Sequence, residues 1–391
     1  MPLVAWALIA LSAALIVYAY AGYPLLLALL ARLRPRPAAP PPPAHWPAVT
    51  VCVPVYNEAH QVGALLENLL ALEYPRDRLQ ILVISDASSD GTDEIVHGFA
   101  GRGVELVRQP RRSGKTAAEQ LAGPRIRGDI VVNTDASIRL HPAAVRHLVA
   151  RLEDRSVGVA SGRDVSVARS DSDANRGESG YVGYEMGIRA LETRVSGIVG
   201  ASGCLYAIRT PLHRTPLPEH LSRDFASALL ARRAGYRAVS VDEAICYVPR
   251  APSLQREYRR KVRTIARGME TLYYLRALLN PMRYGAFAWM LLSHKACRWA
   301  APWAALAGLV GIALLAPAHL WARALLALSC AGIVVGLTGW LLPVRHLPRA
   351  LSIPAFLLAG NVAALHALKR ALHGERAALW EPTRREAVTA P

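Results

Sequence analysis

Cysteine is scarce and scattered. The five thiols stand at 52, 204, 246, 297 and 330, with no CxxC pair among them. Such spacing signals neither a zinc site nor a disulfide framework, and it suits a reducing compartment. Aromatic residues make up only 7% of the 391, many of them inside apolar runs. That leaves too few in the polar part for base stacking, which argues against nucleic acid as a partner. Acidic residues are outnumbered, 29 against 46 basic, giving a formal net charge of +17. Two nucleotide-binding signatures are missing as well. No GxGxxG follows the first apolar strand, so a Rossmann oxidoreductase is disfavoured. Ser113-Gly114-Lys115-Thr116 looks like the end of a phosphate-binding P-loop. The glycine such a loop needs five residues earlier is Gln109, and Pro110 has no N–H to offer.

What is abundant is apolar. Hydrophobic residues are 52% of the chain, and none of the first 31 carries a charge. A bilayer core takes about 20 apolar residues in a helix, so this run is long enough. Ala19-Tyr20-Ala21 mimics a signal-peptidase site, but there is no basic leader and the apolar run continues through 25–30. A retained anchor over 1–31 is the expectation. Arg32, Arg34 and Arg36 follow it and, by the positive-inside rule, place the next segment in the cytoplasm. Three further apolar runs cover about 299–321, 324–344 and 351–368. Ahead of them, 284–298 mixes Phe287, Trp289 and Met290 with His294, Lys295 and Arg298, the pattern of a helix lying among headgroups. One span before the polar region and three after it leave the C-terminus outside. The tail at 369–391 carries Lys369, Arg370, Arg376, Arg384 and Arg385, which favour the inside. Gly360-Asn361 interrupts the last run, which reads as re-entrant or interfacial.

Between a proline-rich linker at 32–47 and these runs lies a domain at 48–283. Strand and helix patterns alternate there: strand 48–56, helix 62–72, strand 79–86, helix 91–100, strand 104–109, helix 115–122 and strand 129–136. This βαβ alternation predicts a parallel sheet with helices on both faces. Ligands in such sheets sit beyond the carboxyl ends of the strands. Tyr56-Asn57-Glu58, Asp86 and Asp135 stand there. Asp90 reads as a cap of the following helix.

The ordered set "VPVYNEAHQVGALLENLLALEYP", "LQILVISDASSDGT", "SGKTAAEQLA", "GDIVVNTDAS", "VGASGCLYAIR", "RDFASALLARRAGYRAV" and "REYRRKVRTIARG" resembles the family-2 glycosyltransferases. The membrane segments, with "SHKACRWAAPW", resemble the branch holding cellulose, hyaluronan and poly-N-acetylglucosamine synthases. The resemblance implies a cytosolic α/β domain of GT-A type, with a Rossmann-like mixed sheet, flanked by transmembrane helices of a multi-pass inner-membrane protein. It implies inverting transfer from a nucleotide-sugar donor, UDP-linked by expectation, to a saccharide or lipid-linked acceptor in envelope or exopolysaccharide synthesis. Tyr56, Glu58 and Asp86 would hold base and ribose, and Lys115 would lie near the nucleotide. Asp135 falls where the family has its metal-binding Asp-x-Asp, here Asp135-Ala136-Ser137, and would hold Mg²⁺ or Mn²⁺ together with phosphates and waters. Asp224 would be the general base, with Arg223 where an acid often stands; a meeting of the two side chains would lower the Asp224 pKa. Arg260 and Arg263, one helix face apart, would neutralise the diphosphate. Arg256, Arg259 and Arg267 read better as contacts to lipid headgroups. Gly200, Ser202 and Gly203 would line the acceptor site. Thr264 stands where the polymer synthases place a tryptophan, which favours single transfer or a different acceptor. Few spans point to a homodimer, an accessory export subunit, or no channel. The competing reading is a membrane-tethered nucleotide-sugar-binding scaffold without catalysis.

Overall fold

The computed structural model describes residues 2–35, 43–167, 174–249, 253–342 and 349–375. Most of the linker after Pro35 and, in the tail, Arg376, Arg384 and Arg385 lie outside them. Helix α1 (Pro2–Arg32) opens the chain. The catalytic-sized domain begins with β1 (Val49–Val55), α2 (Val62–Leu70), β2 (Leu79–Ser85), α3 (Thr92–His97), β3 (Val104–Arg108), α4 (Lys115–Leu121) and β4 (Ile130–Thr134). It continues through β5 (Arg139–Leu140), α5 (Ala144–Leu152), β6 (Val157–Val167), α6 (Ala174–Val195), β7 (Leu205–Arg209), α7 (Arg223–Arg233), β8 (Arg237–Pro249) and α8 (Leu254–Tyr274). Helices α9 (Ala286–Leu315), α10 (Leu320–Leu341) and α11 (Arg349–Leu372) follow.

All eight strands form one sheet in the order β3-β2-β1-β4-β7-β6-β8-β5. Its first half is parallel, as the alternation predicts. The second half mixes directions: β7 runs antiparallel to both β4 and β6, and β5 to β8, while β6 and β8 run parallel. The sheet is therefore mixed, and the parallel expectation holds throughout the β1–β4 half and beyond it only between β6 and β8.

Every residue of β1 is buried, because helices cover both faces of a central strand. Val51 and Val53 pack one way with Leu65, Leu66 and Leu69 of α2. Cys52 packs the other way with Leu82, Ala118 and Tyr206. Burying each such leucine stabilises the fold by about 1.5–3 kcal/mol. All five cysteines are free thiols. The register pairs Val55 with Ser85, so β1 and β2 end level and hand their next residues, Tyr56 and Asp86, to the same sheet edge.

Among the described residues, four helices are long and apolar enough to cross a bilayer, spanning Pro2–Arg32, Ala286–Leu315, Leu320–Leu341 and Leu351–Leu372. Helices α1 and α9 approach backbone to backbone: a Cβ on Gly311 would come within 2.7 Å of the Ala5 carbonyl oxygen. Protein contacts account for the mixed composition of 284–298. Phe287, Met290 and Leu291 are buried against Leu229, Leu275 and Leu278, in one cluster with Tyr23 and Leu27 of α1. Helix α11 passes through Gly360-Asn361 unbroken, and the Asn361 amide donates to the Leu357 carbonyl at 2.8 Å.

A buried polar cluster ties these helices to the domain. His294 of α9 places Nδ1 2.6 Å from Glu192 and Nε2 2.7 Å from Glu185, both on α6. Tyr23 of α1 donates to the same Glu192 at 2.6 Å, and Arg298 donates to Glu185 at 2.8 Å.

Candidate active site

The loop after β1 and the loop after β2 are interlocked. Asn57 has φ 52° and Ala87 φ 60°, two non-glycine residues in the left-handed region. Hydrogen bonds hold them there: Ser89 N–H donates to Asn57 Oδ1 at 2.8 Å, and Asn57 N–H to the Ser88 hydroxyl at 3.1 Å. Glu58 is buried; its backbone N–H donates to the Thr92 hydroxyl at 2.8 Å and its carboxylate accepts from Gln61. The Arg112 guanidinium lies over the Tyr56 ring, 3.9 Å from its centroid. Asp90 accepts the N–H of Thr92 at the head of α3 and that of Ala59, each at 3.1 Å, as expected of a cap.

Asp86 is almost fully buried, and its carboxylate organises the Ser-Gly-Lys segment. It accepts the N–H groups of Ser113 at 2.7 Å and Gly114 at 2.9 Å, and the Gln109 amide at 3.1 Å. Gly114, at φ 94°, makes the turn into α4 that this anchoring requires. The next residue, Lys115, donates to Asp135 Oδ1 at the end of β4. Burial alone would lower the Lys115 ammonium. The carboxylates of Asp135, Glu119 and Asp224 outweigh it, so Lys115 is held above its ordinary value and stays charged. The structure thus brings Lys115, Asp135 and Asp224 into one electrostatic neighbourhood, with Asp86 beneath the loop that delivers the lysine.

Asp224 sits in the first turn of α7 and accepts the Ser222 hydroxyl. Gly203 faces it so closely that a Cβ there would stand 2.6 Å from Asp224 Oδ2. Gly200 similarly leaves room for Phe225, whose ring meets Trp299 edge-on at 6.3 Å. Ser202 is different. It is buried, and its hydroxyl donates to the Asp164 carboxylate, 2.7 and 2.8 Å from the two oxygens, so it braces the segment and offers nothing to a sugar.

The basic residues are distributed otherwise than the sequence suggests. Arg260 forms a two-pronged pair with buried Glu257, at 2.7 and 2.8 Å. Arg223 does not meet Asp224: its guanidinium engages Glu119 and the His213 carbonyl. Arg267 is not a headgroup contact. It is buried and donates to the His220 carbonyl and the Thr116 hydroxyl, each at 3.1 Å. Arg263 lies one turn before Arg267 on the face that Arg267 and Thr271 turn toward α7, where Thr271 accepts the Ser222 N–H at 3.0 Å. Arg256, Arg259 and Thr264 are exposed. Glu119 had no sequence reading. Its signal was there, one helical turn after Lys115 on the same face.

Among the described residues no three His, Cys, Asp or Glu side chains gather as a metal cluster. Asp135 supplies one carboxylate, whose Oδ1 accepts from Lys115. One protein oxygen suits a hard divalent ion that takes its other ligands from phosphate and water.

Residues 50–206 match the Glycosyl transferase family 2 domain. An N-acetylglucosaminyltransferase of Mesorhizobium japonicum is 27% identical over 231 residues, 54% of this chain and 53% of that protein. Another, from Rhizobium sp. (strain N33), is 28% identical over 261 residues, 61% of this chain and 57% of that protein. The chain thus spans a little over half the length of these curated relatives. Among solved structures, the mannosyltransferase PcManGT from Pyrobaculum calidifontis, in complex with GDP-Man and Mn²⁺, superposes with a TM-score of 0.73 at 25% identity, covering 94% of this chain and 99% of that one.

Proposed function

We propose that this chain, whose residues 50–206 match the Glycosyl transferase family 2 domain, is a glycosyltransferase that inverts the anomeric centre of a nucleotide sugar while passing the sugar to a saccharide or lipid-linked acceptor. The observation that carries the reading is the convergence of Lys115, Asp135 and Asp224 from α4, β4 and α7. In the step itself, the acceptor oxygen attacks the anomeric carbon, the bond to the diphosphate oxygen breaks, and the acceptor proton passes to Asp224. A positioned carboxylate of this kind contributes about 10²–10⁴-fold.

Tyr56, Glu58 and Asp86 form the wall for base and ribose; Asp86 acts by holding the loop whose exposed edge the nucleotide meets. Lys115 and Arg263 face the growing charge on the leaving diphosphate, where preorganised cations stabilise the transition state. Asp135 would hold Mg²⁺ or Mn²⁺, which supplies further positive charge to the diphosphate when bound. Gly200 and Gly203 let the acceptor-side segment pack closely on Phe225 and on Asp224, which seats the base beside it. The names of the relatives favour N-acetylglucosamine and the solved neighbour holds GDP-Man, so both UDP- and GDP-linked donors belong in the test. Arg32 and Arg34 at the end of α1 favour an inner-membrane protein with its domain in the cytoplasm. Export of a polymer through four spans would call for a second copy or an export subunit.

The test is a donor screen. Protein purified in detergent with Mg²⁺ or Mn²⁺ is assayed for nucleoside diphosphate release across UDP- and GDP-sugars, alongside Asp224→Asn. Release by the wild type with a loss of about 10²–10⁴-fold in the variant is expected. Equal rates would remove the base assignment; no release from any donor would favour a binding protein.

A further inference from the structure

Glu119 is fully buried one turn after Lys115. Its Oε2 lies 3.2 Å from the Nε of Arg223, the residue just before the proposed base. The same guanidinium donates to the His213 carbonyl at 2.7 Å, which draws it toward α4 and away from Asp224. His213 brings no negative charge of its own. Burial, then Arg223 and Arg214, push its imidazole down to about 3, so it is neutral. Glu119 is therefore the carboxylate that balances Arg223.

Keeping that charge is unfavourable in itself. Burial pushes the Glu119 carboxyl up, against the pull of Lys115 and Arg223, and Asp224 and Asp135 push the same way. Replacing a buried ion pair by apolar residues is often neutral or stabilising. A pair retained against that pressure beside a reaction centre serves the site. Four groups bear on Asp224: Lys115 and Glu119 from α4, Arg267 from α8 and Tyr206 from β7; Arg223 is its neighbour on α7, with its guanidinium on Glu119.

We propose that Glu119 is a positioning residue: through Arg223 it fixes the first turn of α7, and the Asp224 carboxylate with it, relative to Lys115 at the head of α4. The inference rests on Asp224 being the base. With Glu119 neutral, Arg223 is an unopposed cation beside the base and favours its ionised form. With Arg223 neutral, Glu119 is an unopposed anion and disfavours it.

Glu119→Gln, Arg223→Gln and the double variant are compared with wild type, in detergent, on the nucleotide sugar the wild type turns over. The rate is followed against pH, and nucleoside diphosphate affinity by calorimetry. Glu119→Gln slows transfer about 10–100-fold, the scale of a small misplacement, and moves the acid limb of the profile to lower pH. Arg223→Gln moves that limb to higher pH. The double variant returns the limb to its wild-type position but stays slow, and affinity is unchanged throughout. A merely structural pair would not shift the limb in opposite directions. Limbs that stay put or move together overturn the proposal. Should the single variants not fold, the neutral double variant decides, and a wild-type rate there overturns it. A wild type that releases nothing from any nucleotide sugar fails the functional reading itself, whereas an active wild type matched by Glu119→Gln sinks only the positioning role.

Discussion

Gly203 stands so close to Asp224 that a single added carbon would lie 2.6 Å from the carboxylate oxygen Oδ2. Real Cβ contacts do not reach that distance, so Gly203→Ala must turn the Asp224 side chain or push back the 199–203 segment. A fall in turnover of about 10²-fold is expected from such a displacement, with nucleoside diphosphate affinity unchanged. Steady-state kinetics and calorimetry on the same preparation separate the two.

Asp86 is expected to act on donor affinity through its loop. Asp86→Ala leaves the buried N–H of Gly114 and that of Ser113 without an acceptor, each unmet donor costing about 1–3 kcal/mol. The loop then releases Lys115 from its place on Asp135. The donor KM rises about 10–100-fold on that cost, with a smaller change in kcat.

His294 bridges Glu185 and Glu192, and its loss leaves Glu185 to Arg298 alone and Glu192 to Tyr23 and the Val199 N–H in a buried site. Breaking a buried pair destabilises by about 3–5 kcal/mol. His294→Ala should lower the thermal unfolding midpoint in detergent sharply. Tyr23→Phe removes only one donor to Glu192, worth about 1.5–3 kcal/mol for a bond to a charged group, and should lower it less. Equal midpoints for His294→Ala and wild type would refute the reading of this cluster as a tie between α1, α6 and α9.

Asp90 gives the acid response a sign. Burial would raise its carboxyl, but the Thr92 hydroxyl and the N–H groups of Ala59 and Thr92 outweigh burial and hold it below its ordinary value. A depressed carboxyl contributes stability that is complete above its unfolded value, ~3.9, and vanishes as pH falls through the folded one. Asp90→Asn should melt lower than wild type at neutral pH and show a flatter loss of stability below about pH 4.

Much of the site could be read in the sequence because its residues follow punctuation. Asp86 and Asp135 end apolar strands, Lys115 follows a glycine, and Asp224 opens a helix. The antiparallel placing of β7 could not be read. Leu205–Arg209 is five residues with no clean alternation, and its partners in β4 and β6 are chosen by long-range packing. Arg267 was misread because a basic face beside a membrane helix looks the same whether headgroups or backbone carbonyls lie opposite. Ser202 was misread because a hydroxyl in a glycine-rich turn does not reveal the Asp164 that claims it from a neighbouring strand.

The seating of α1 on α9 also orders the birth of the molecule. Ala5 leaves the ribosome long before Gly311, the notch that receives it. Tyr23 can meet Glu192 as soon as α6 is made, but the face of α1 that carries Ala5 stays open until α9 follows. Anything that stalls synthesis before α9 leaves a folded sheet beside a half-matched helix.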